Sequence, residues 1–198
     1  MRVVLASSNP GKLRELAALL APFDFDLIPQ DKLGVETPPE TGATFADNAL
    51  LKAHHAARVT NLPALADDSG IEVDALGGHP GVYSARYAGE GASDQDNLQK
   101  LLGELRNVPP PRRTARYRCV IAFVNAAEDP NPLLADGTWE GTLLSSPRGL
   151  GGFGYDPIFV PIGSQRTAAE LRPEEKNLLS HRGQALRSLV AQLQQRRR

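Results

Sequence analysis

The sequence is short of cysteine: Cys119 is the only one among 198 residues. No internal disulfide can form, which excludes a disulfide-stapled fold and suits a reducing compartment. Cys119 lies in the apolar run 119–124, so we expect a buried, inert thiol. Around the polar motifs described below there is no Cys-His or Ser-His arrangement that would indicate a covalent nucleophile.

The sequence also lacks a dominant charge and a long apolar run. Its 22 basic and 23 acidic residues give a net charge of −1, so no broad basic surface is available for a nucleic-acid backbone. No apolar stretch approaches the roughly 20 residues that span a membrane, and the first residues do not form a signal peptide. We expect a cytoplasmic protein without nucleic-acid or membrane partners, whose basic tail, residues 194–198, is a solvated end.

Strand-like and helical patterns alternate along the chain, which predicts an α/β fold with a mixed sheet flanked by helices. The length and the 41% hydrophobic content favour one domain over residues 1–198. Short strands are predicted at 63–66 and 71–73, and further strands at 138–144 and 155–160. Asp136 and Gly137 form a turn signal before the third of these strands.

Local signals predict one more strand and five helices. The alternation of apolar residues at 115, 117, 119, 121 and 123 predicts a long strand that includes Tyr117. The first helix follows the polar turn at 7–12. The second opens with the capping pair Thr44 and Asp47 and has an apolar face rich in alanine, and Ser93 can cap the third. Pro173 suits the first turn of the fourth, and the apolar stripe 185–193 predicts the last.

The polar turn at 7–12 follows the apolar run 3–6 and precedes a helical pattern. It comprises Ser7, Ser8, Asn9, Pro10, Gly11 and Lys12. A helix start offers unpaired N–H groups and suits a phosphate, but Ser and Asn are also ordinary helix caps, so both interpretations stand at this point. A P-loop is excluded because Lys12 is followed by Leu13 and position 6 is not Gly.

Glycines 149, 151 and 154 satisfy G-x-G-x-x-G, the dinucleotide-binding pattern. That pattern must follow a strand and open a helix, whereas this one runs into apolar residues with strand character, so we reject it. The glycines surround Phe153, which either forms a stacking platform for a base or packs into the core.

Asp67 and Asp68 are adjacent carboxylates between two apolar runs, and Gly70 permits a tight turn after them. Next to a phosphate-binding loop they would repel the ligand unless a divalent cation intervened, and Mg²⁺ uses one or two carboxylates plus phosphate oxygens. Glu40 is a further acidic candidate, and Lys52 could offset phosphate charge.

Six motifs cover nearly the whole chain, from residue 3 to about residue 193. They are Ser7-x-Asn9-x-x-Lys12-x-x-Glu15, Glu40-x-Gly42-x-Thr44-Phe45-x-x-Asn48-Ala49-x-x-Lys52-Ala53, Ala66-Asp67-Asp68-Ser69-Gly70, Pro80-Gly81-Val82-Tyr83-Ser84-Ala85-Arg86, Gly152-Phe153-Gly154-Tyr155-Asp156-Pro157 and Ser180-His181-Arg182-Gly183. In this order they resemble the Ham1/RdgB family of non-canonical purine nucleoside triphosphate pyrophosphatases.

The resemblance implies a Mg²⁺-dependent homodimeric enzyme that cleaves ITP, dITP and XTP to the monophosphate and pyrophosphate and so cleanses the nucleotide pool. It implies a long mixed sheet with two lobes around a substrate cleft. Asp68 would be the catalytic residue and, with Glu40, a metal ligand. The substrate-binding residues would be Ser7, Ser8, Asn9, Pro10, Gly11, Lys12, Lys52, Ser69, Phe153, Gly154, Tyr155, Asp156, Lys176, His181 and Arg182.

The mechanism we expect is attack of water on the α-phosphorus, with Asp68 orienting or deprotonating the water. A buried donor, His181 or Arg182, would pair with the 6-oxo group of the base and exclude adenine. Two alternatives remain open: a pyrophosphatase of the related Maf type acting on modified pyrimidines, and a nucleotide- or RNA-binding module without activity.

Overall fold

A computed structural model of the chain describes residues 1–23 and 25–196. Within these described residues, six strands form one sheet in the order β2-β1-β3-β4-β5-β6. β1 pairs in parallel with both β2 and β3, whereas β5 and β6 are antiparallel, so the predicted mixed sheet is confirmed. The strands are β1 Arg2–Leu5, β2 Asp26–Pro29, β3 Ala64–Val73, β4 Thr114–Val124, β5 Leu133–Leu143 and β6 Phe159–Pro161.

The prediction of two short strands around an acidic turn is wrong, because β3 runs through residues 64–73 without interruption. Gly70 is required for close packing and not for a turn: a Cβ there would lie 2.3 Å from the Gly81 carbonyl oxygen and 2.5 Å from Ser84 Oγ. The Ile71 amide donates to the same Ser84 Oγ at 2.9 Å. Asp67 and Asp68 therefore lie in the middle of a strand.

β5 and β6 also differ from the predicted strands. β5 includes Asp136 and Gly137, since its alternation of buried and exposed residues continues through them and leaves Asp136 on the outer face. β6 starts only at Phe159, because the backbone before it forms local turns in which the Asp156 amide donates to the Phe153 carbonyl.

Five α-helices within residues 1–23 and 25–196 flank the sheet, as predicted. The helix after the first turn begins at Pro10, and the capping box of Thr44 and Asp47 opens the second. Ser93 caps the third, also as predicted. The helices are α1 Pro10–Leu20, α2 Phe45–Thr60, α3 Asp94–Glu104, α4 Pro173–Leu179 and α5 His181–Arg196.

The chain divides into two compact units. Unit 1 comprises Met1–Asp68, Cys119–Gly137 and the segment that starts at Arg182; unit 2 comprises Ser69–Arg118 and Thr138–His181. Each unit has its own hydrophobic core: Leu16 and Ile121 lie in that of unit 1, and Leu98 and Phe159 in that of unit 2. That residues 1–198 form a single domain, and that two lobes enclose a cleft, stay predictions.

No helix in the described part of the chain is long and apolar enough to cross a membrane. In the basic tail, Arg196 donates to the Asn131 carbonyl at 2.8 Å, so this residue is anchored. Arg197 and Arg198 lie outside the described residues.

Candidate active site

In unit 1, the two adjacent aspartates of β3 contact different partners. Successive side chains of a strand point to opposite faces, so Asp67 and Asp68 cannot both face one ligand. Asp68 accepts hydrogen bonds from Lys52 and from Asn48, each at 3.1 Å, whereas Asp67 contacts Lys12 and Arg182. The two carboxylates thus belong to two separate charge clusters.

The Asp68 cluster is built by α2. Asn48 and Lys52 are four residues apart and share one helical face, as the spacing predicts. Lys52 Nζ also donates to Glu40 at 2.7 Å, so two carboxylates meet at one ammonium group. Asn48 Oδ1 accepts from the Gly42 amide at 2.7 Å, and this bond holds the loop that carries Glu40 against the helix.

Burial and charge together set the ionisation of this cluster. Burial raises the pKa of Asp68 and the nearby Glu40 carboxylate adds to the effect; Lys52 and Lys12 oppose it without cancelling it. Burial would lower the pKa of Lys52, but Asp68, Asp67 and Glu40 outweigh it and the pKa is raised. Lys52 therefore stays charged, and Asp68 is a stronger base than an ordinary aspartate.

The Asp67 cluster joins α1, β3 and α5. Lys12 Nζ lies 3.1 Å from Asp67 Oδ2, and the Arg182 guanidinium contacts the same oxygen at 3.2 Å and also contacts Glu15. Burial opposes ionisation of Asp67, but Lys12, Arg182 and Lys52 together hold its pKa well below the usual range. The net formal charge of this cluster is zero, because the two cations Lys12 and Arg182 balance the carboxylates of Asp67 and Glu15.

At the start of α1 the structure shows a capped helix. Asn9 Oδ1 accepts from the amides of Gly11 and Lys12 at 2.8 and 3.1 Å. Ser7 Oγ accepts from the Asn9 amide at 3.3 Å, while Ser8 and Pro10 are exposed. The amides of Gly11 and Lys12 are thus satisfied by a side chain, and phosphate binding by residues 7–12 stays a prediction.

The donor set around Asp68 fits a Mg²⁺ ion that completes its coordination with a ligand. No group of three or more His, Cys, Asp or Glu side chains within residues 1–23 and 25–196 could hold a metal. Glu40 and Asp68 nevertheless bring two carboxylate oxygens within 3.1 Å of one nitrogen. Mg²⁺ commonly binds one or two carboxylates and takes its remaining ligands from water and phosphate, so these residues fit the metal.

Unit 2 contains the other predicted substrate-binding residues. Asp156 Oδ2 accepts from Lys176 Nζ at 2.6 Å and from the Phe153 amide at 2.9 Å. Lys176 Nζ lies 4.7 Å from the centroid of the Phe153 ring, which is half-buried. The glycine-rich loop is therefore held in place by one buried carboxylate.

The remaining predicted residues of unit 2 are placed by neighbouring contacts. Tyr155 is buried and its hydroxyl donates to the Ser84 carbonyl at 2.8 Å, while the Gly154 amide donates to Asp94. Ser69 is half-buried within β3.

His181 and Arg182 are the first two residues of α5. The sequence pattern predicted them just before this helix. The His181 ring stacks on Tyr117 with centroids 4.6 Å apart, a contact within unit 2. The Arg182 side chain is only 1% exposed, and its guanidinium contacts Asp67 and Glu15 in unit 1. The two donors that the sequence treats as a pair are therefore held by different partners.

Comparisons with known proteins identify the family. The model of the Ham1 family matches residues 3–192. The chain belongs to the Ham1 family. It is 58% identical over 189 residues to a dITP/XTP pyrophosphatase of Shigella flexneri, covering 96% of both chains, and 57% identical over 192 residues to one of Methylococcus capsulatus, covering 97% of this chain and 96% of the relative.

Solved structures of Ham1 proteins share the fold. A HAM1 protein from Coxiella burnetii is 50% identical, covers 98% of this chain and 99% of its own, and has a TM-score of 0.90. The Staphylococcus aureus Ham1 protein is 40% identical, covers 99% of this chain and 100% of its own, and has a TM-score of 0.86.

Sequence reasoning missed two side chains of this Ham1 chain that hold the predicted site residues. Asn48 appears in a motif, but its bond to Asp68 could be found only by combining its helical spacing from Lys52 with the position of β3. Tyr117 lies in the strand that the alternation of residues 115–123 predicts, and no local signal indicates its contacts to Asp156 and His181.

Proposed function

We propose that this chain hydrolyses non-canonical purine nucleoside triphosphates (ITP, dITP and XTP) to the monophosphate and pyrophosphate. The names of relatives 57–58% identical over nearly the whole chain support this activity. In the structure, the supporting observation is the pair of carboxylates, Glu40 and Asp68, that meet at Lys52 within unit 1. The enzyme would remove deaminated purine nucleotides before they enter DNA or RNA.

Glu40 and Asp68 would hold a Mg²⁺ ion, which when bound offsets the negative charge of the phosphate oxygens. The Glu40, Asp68 and Lys52 cluster has a formal charge of −1 without it. An anionic substrate would therefore be repelled unless a cation accompanied it, and this charge balance supports the metal assignment.

Asp68 is the proposed general base for water attack on the α-phosphorus. Lys52 and Asn48 hold its two oxygens in a fixed orientation, and its raised pKa increases its proton affinity. Cys119, the only cysteine, is fully buried and cannot act as a nucleophile, which agrees with direct hydrolysis. Lys12 and Lys52 are the proposed phosphate-binding cations, and each lies close to a carboxylate.

In unit 2 we propose that Phe153 stacks on the purine and that His181 donates to its 6-oxo group. Adenine presents an amino group at that position, and two facing donors would be unfavourable. Arg182 is the weaker candidate of the pair, because a contact with the base would require its guanidinium to release Asp67 or Glu15.

The test is pyrophosphate release from ITP, dITP, XTP, GTP, ATP and a modified UTP, with and without Mg²⁺. We expect turnover of the first three only, and only with Mg²⁺. Asp68→Asn should reduce kcat by roughly 10²–10⁴-fold, the usual contribution of a general base. Asp26→Asn, at an exposed carboxylate of β2, is the matched control and should behave as the wild type.

Other outcomes would overturn parts of this proposal. Wild-type turnover by folded Asp68→Asn would remove Asp68 as the base, and turnover of the modified UTP alone would indicate a Maf-type enzyme. Nucleotide binding without any turnover would indicate a binding module. We also propose a cytoplasmic homodimer, which light scattering should report as twice the mass of one chain.

A further inference from the structure

Tyr117 of β4 contacts two groups of predicted substrate-binding residues in unit 2. Its hydroxyl donates to Asp156 Oδ1 at 3.2 Å. Its ring lies nearly parallel to that of His181, with an interplanar angle of 7° and centroids 4.6 Å apart. Tyr117 is itself 7% exposed and packs on Phe159 with centroids 4.7 Å apart, so its ring has little freedom to move.

Asp156 links Tyr117 to the glycine-rich loop by hydrogen bonds. Its other oxygen accepts from Lys176 at 2.6 Å and from the Phe153 amide at 2.9 Å. The loop packs directly on this carboxylate, because a Cβ at Gly152 would lie 2.1 Å from Asp156 Oδ2. A rotation of the carboxylate would therefore move both Phe153 and Lys176.

We propose that Tyr117 is a positioning residue for purine recognition, acting through its hydroxyl on Asp156 and through its ring on His181. The inference rests on the proposed function, in which Phe153 and His181 receive the base. The hydroxyl fixes the stacking platform, and the ring fixes the orientation of the imidazole donor. The two roles are chemically separable, since phenylalanine retains the ring and leucine retains neither.

Tyr117→Phe should raise KM for ITP about 3- to 10-fold, the size of one hydrogen bond, with kcat changed less than about twofold. Asp68 and the cations proposed to act on the phosphates belong to unit 1, whereas Tyr117 belongs to unit 2, so the chemical step should be little affected. The preference for ITP over ATP in kcat/KM should be retained, because the stack on His181, the proposed donor to the 6-oxo group, remains.

Tyr117→Leu should also reduce the ITP-over-ATP preference by roughly 3- to 10-fold, the range expected for a lost aromatic pair. NMR provides a readout independent of turnover, because the ring current of residue 117 shifts the His181 ring-proton signals. The shift should be equal in the wild type and in Tyr117→Phe and smaller in Tyr117→Leu, where the more distant Trp139 ring, 6.4 Å away, still stacks on His181. The spectrum of His181→Gln assigns these signals among the four histidines.

Tyr87→Phe is the matched control. It removes a hydrogen bond from a tyrosine of unit 2 to a carboxylate, that of Glu104, and Tyr87 is not itself a predicted substrate-binding residue. Its kinetics should equal those of the wild type. If the wild type released pyrophosphate from ITP but Tyr117→Phe and Tyr117→Leu did so with unchanged KM and unchanged preference, this inference would be wrong and the proposed function would stand. A wild type inactive on ITP, dITP and XTP would overturn the proposed function, and this inference with it.

Discussion

At the scale of single residues, the adjacent Asp67 and Asp68 have pKa values that are shifted in opposite directions. Asp67 has two cations at its carboxylate and a pKa held low, whereas Asp68 shares one ammonium group with Glu40 and has a raised pKa. The strand alternation that separates their faces is the cause. Two adjacent carboxylates can thus differ in the direction of their pKa shifts although they share the influence of Lys12 and Lys52.

Glu40 tests the metal assignment. Glu40→Gln removes the charge of one proposed ligand but preserves the shape of the side chain. We therefore expect the Mg²⁺ concentration for half-maximal activity to rise by at least about tenfold. Substitution of residues that only hydrogen-bond to a metal ligand already has effects of that size. Titration of activity with Mg²⁺ at saturating ITP measures it. Glu36→Gln, at an exposed position of the same loop, should leave the titration unchanged. Equal midpoints for all three proteins would exclude Glu40 as a ligand.

Arg182 tests the Asp67 cluster. Arg182→Met leaves Asp67 without one of its buried cations and removes a partner of Glu15, so we expect the free energy of unfolding to fall by about 3–5 kcal/mol. Arg58→Met breaks the exposed ion pair with Glu128 and should cost only about 0–1 kcal/mol. Urea denaturation of both variants gives the comparison. Equal losses would contradict the assignment of Arg182 to a structural cluster.

At the scale of elements, β3 determines the position of the site because it carries both aspartates between its neighbours β1 and β4. Its length depends on Gly70, where the 3₁₀ segment Gly81–Arg86 packs against the strand. The glycine thus extends the strand where the sequence suggested a turn.

Gly70→Ala should destabilise the protein by about 1–3 kcal/mol, because the new methyl group would overlap backbone and Ser84 atoms. Gly103→Ala, in α3 with no atom within 4 Å of the added Cβ, should stabilise it by roughly 0.5–1 kcal/mol through helix propensity. Thermal and urea unfolding report both. A Gly70→Ala protein as stable as the wild type would mean that the packing around β3 is looser than described.

At the scale of the whole molecule, the single cysteine is a reporter of unfolding. Cys119 is fully buried in the core of unit 1, and burial together with the negative Asp67 raises its pKa to about 12. A thiol reagent at pH 8 should therefore leave the native protein unlabelled and label it fully in denaturant. Rapid labelling without denaturant would contradict the buried position.

The same thiol makes stability depend on pH. The unfolded chain releases the proton near pH 8.5 and the folded protein only near pH 12, so the thiol's contribution is complete below pH 8.5 and is lost as the pH rises towards 12. Between pH 9 and 11 the wild type should therefore lose about 1.4 kcal/mol of unfolding free energy per pH unit relative to Cys119→Ala. A constant difference in urea denaturation would contradict the raised pKa.

Local patterns in the sequence determined most of the elements. The capping residues Thr44 and Ser93, the alanine face of α2 and the alternation of β4 are local signals, and all were confirmed. The ordered motifs determined the family, because their combination covers nearly the whole chain. The site residues, including Asp68, Glu40 and Lys52, were likewise named from the sequence, although their roles stay proposals.

Only the tertiary structure decided which of these residues meet. Turn signals at Gly70 and at Asp136-Gly137 were overridden because packing and strand alternation contribute more than local propensity. The sequence could not show that Asp67 and Asp68 face different cations, or that Tyr117 contacts Asp156. Such contacts join residues as far apart as 67 and 182, and long-range pairing depends on the fold and not on local spacing.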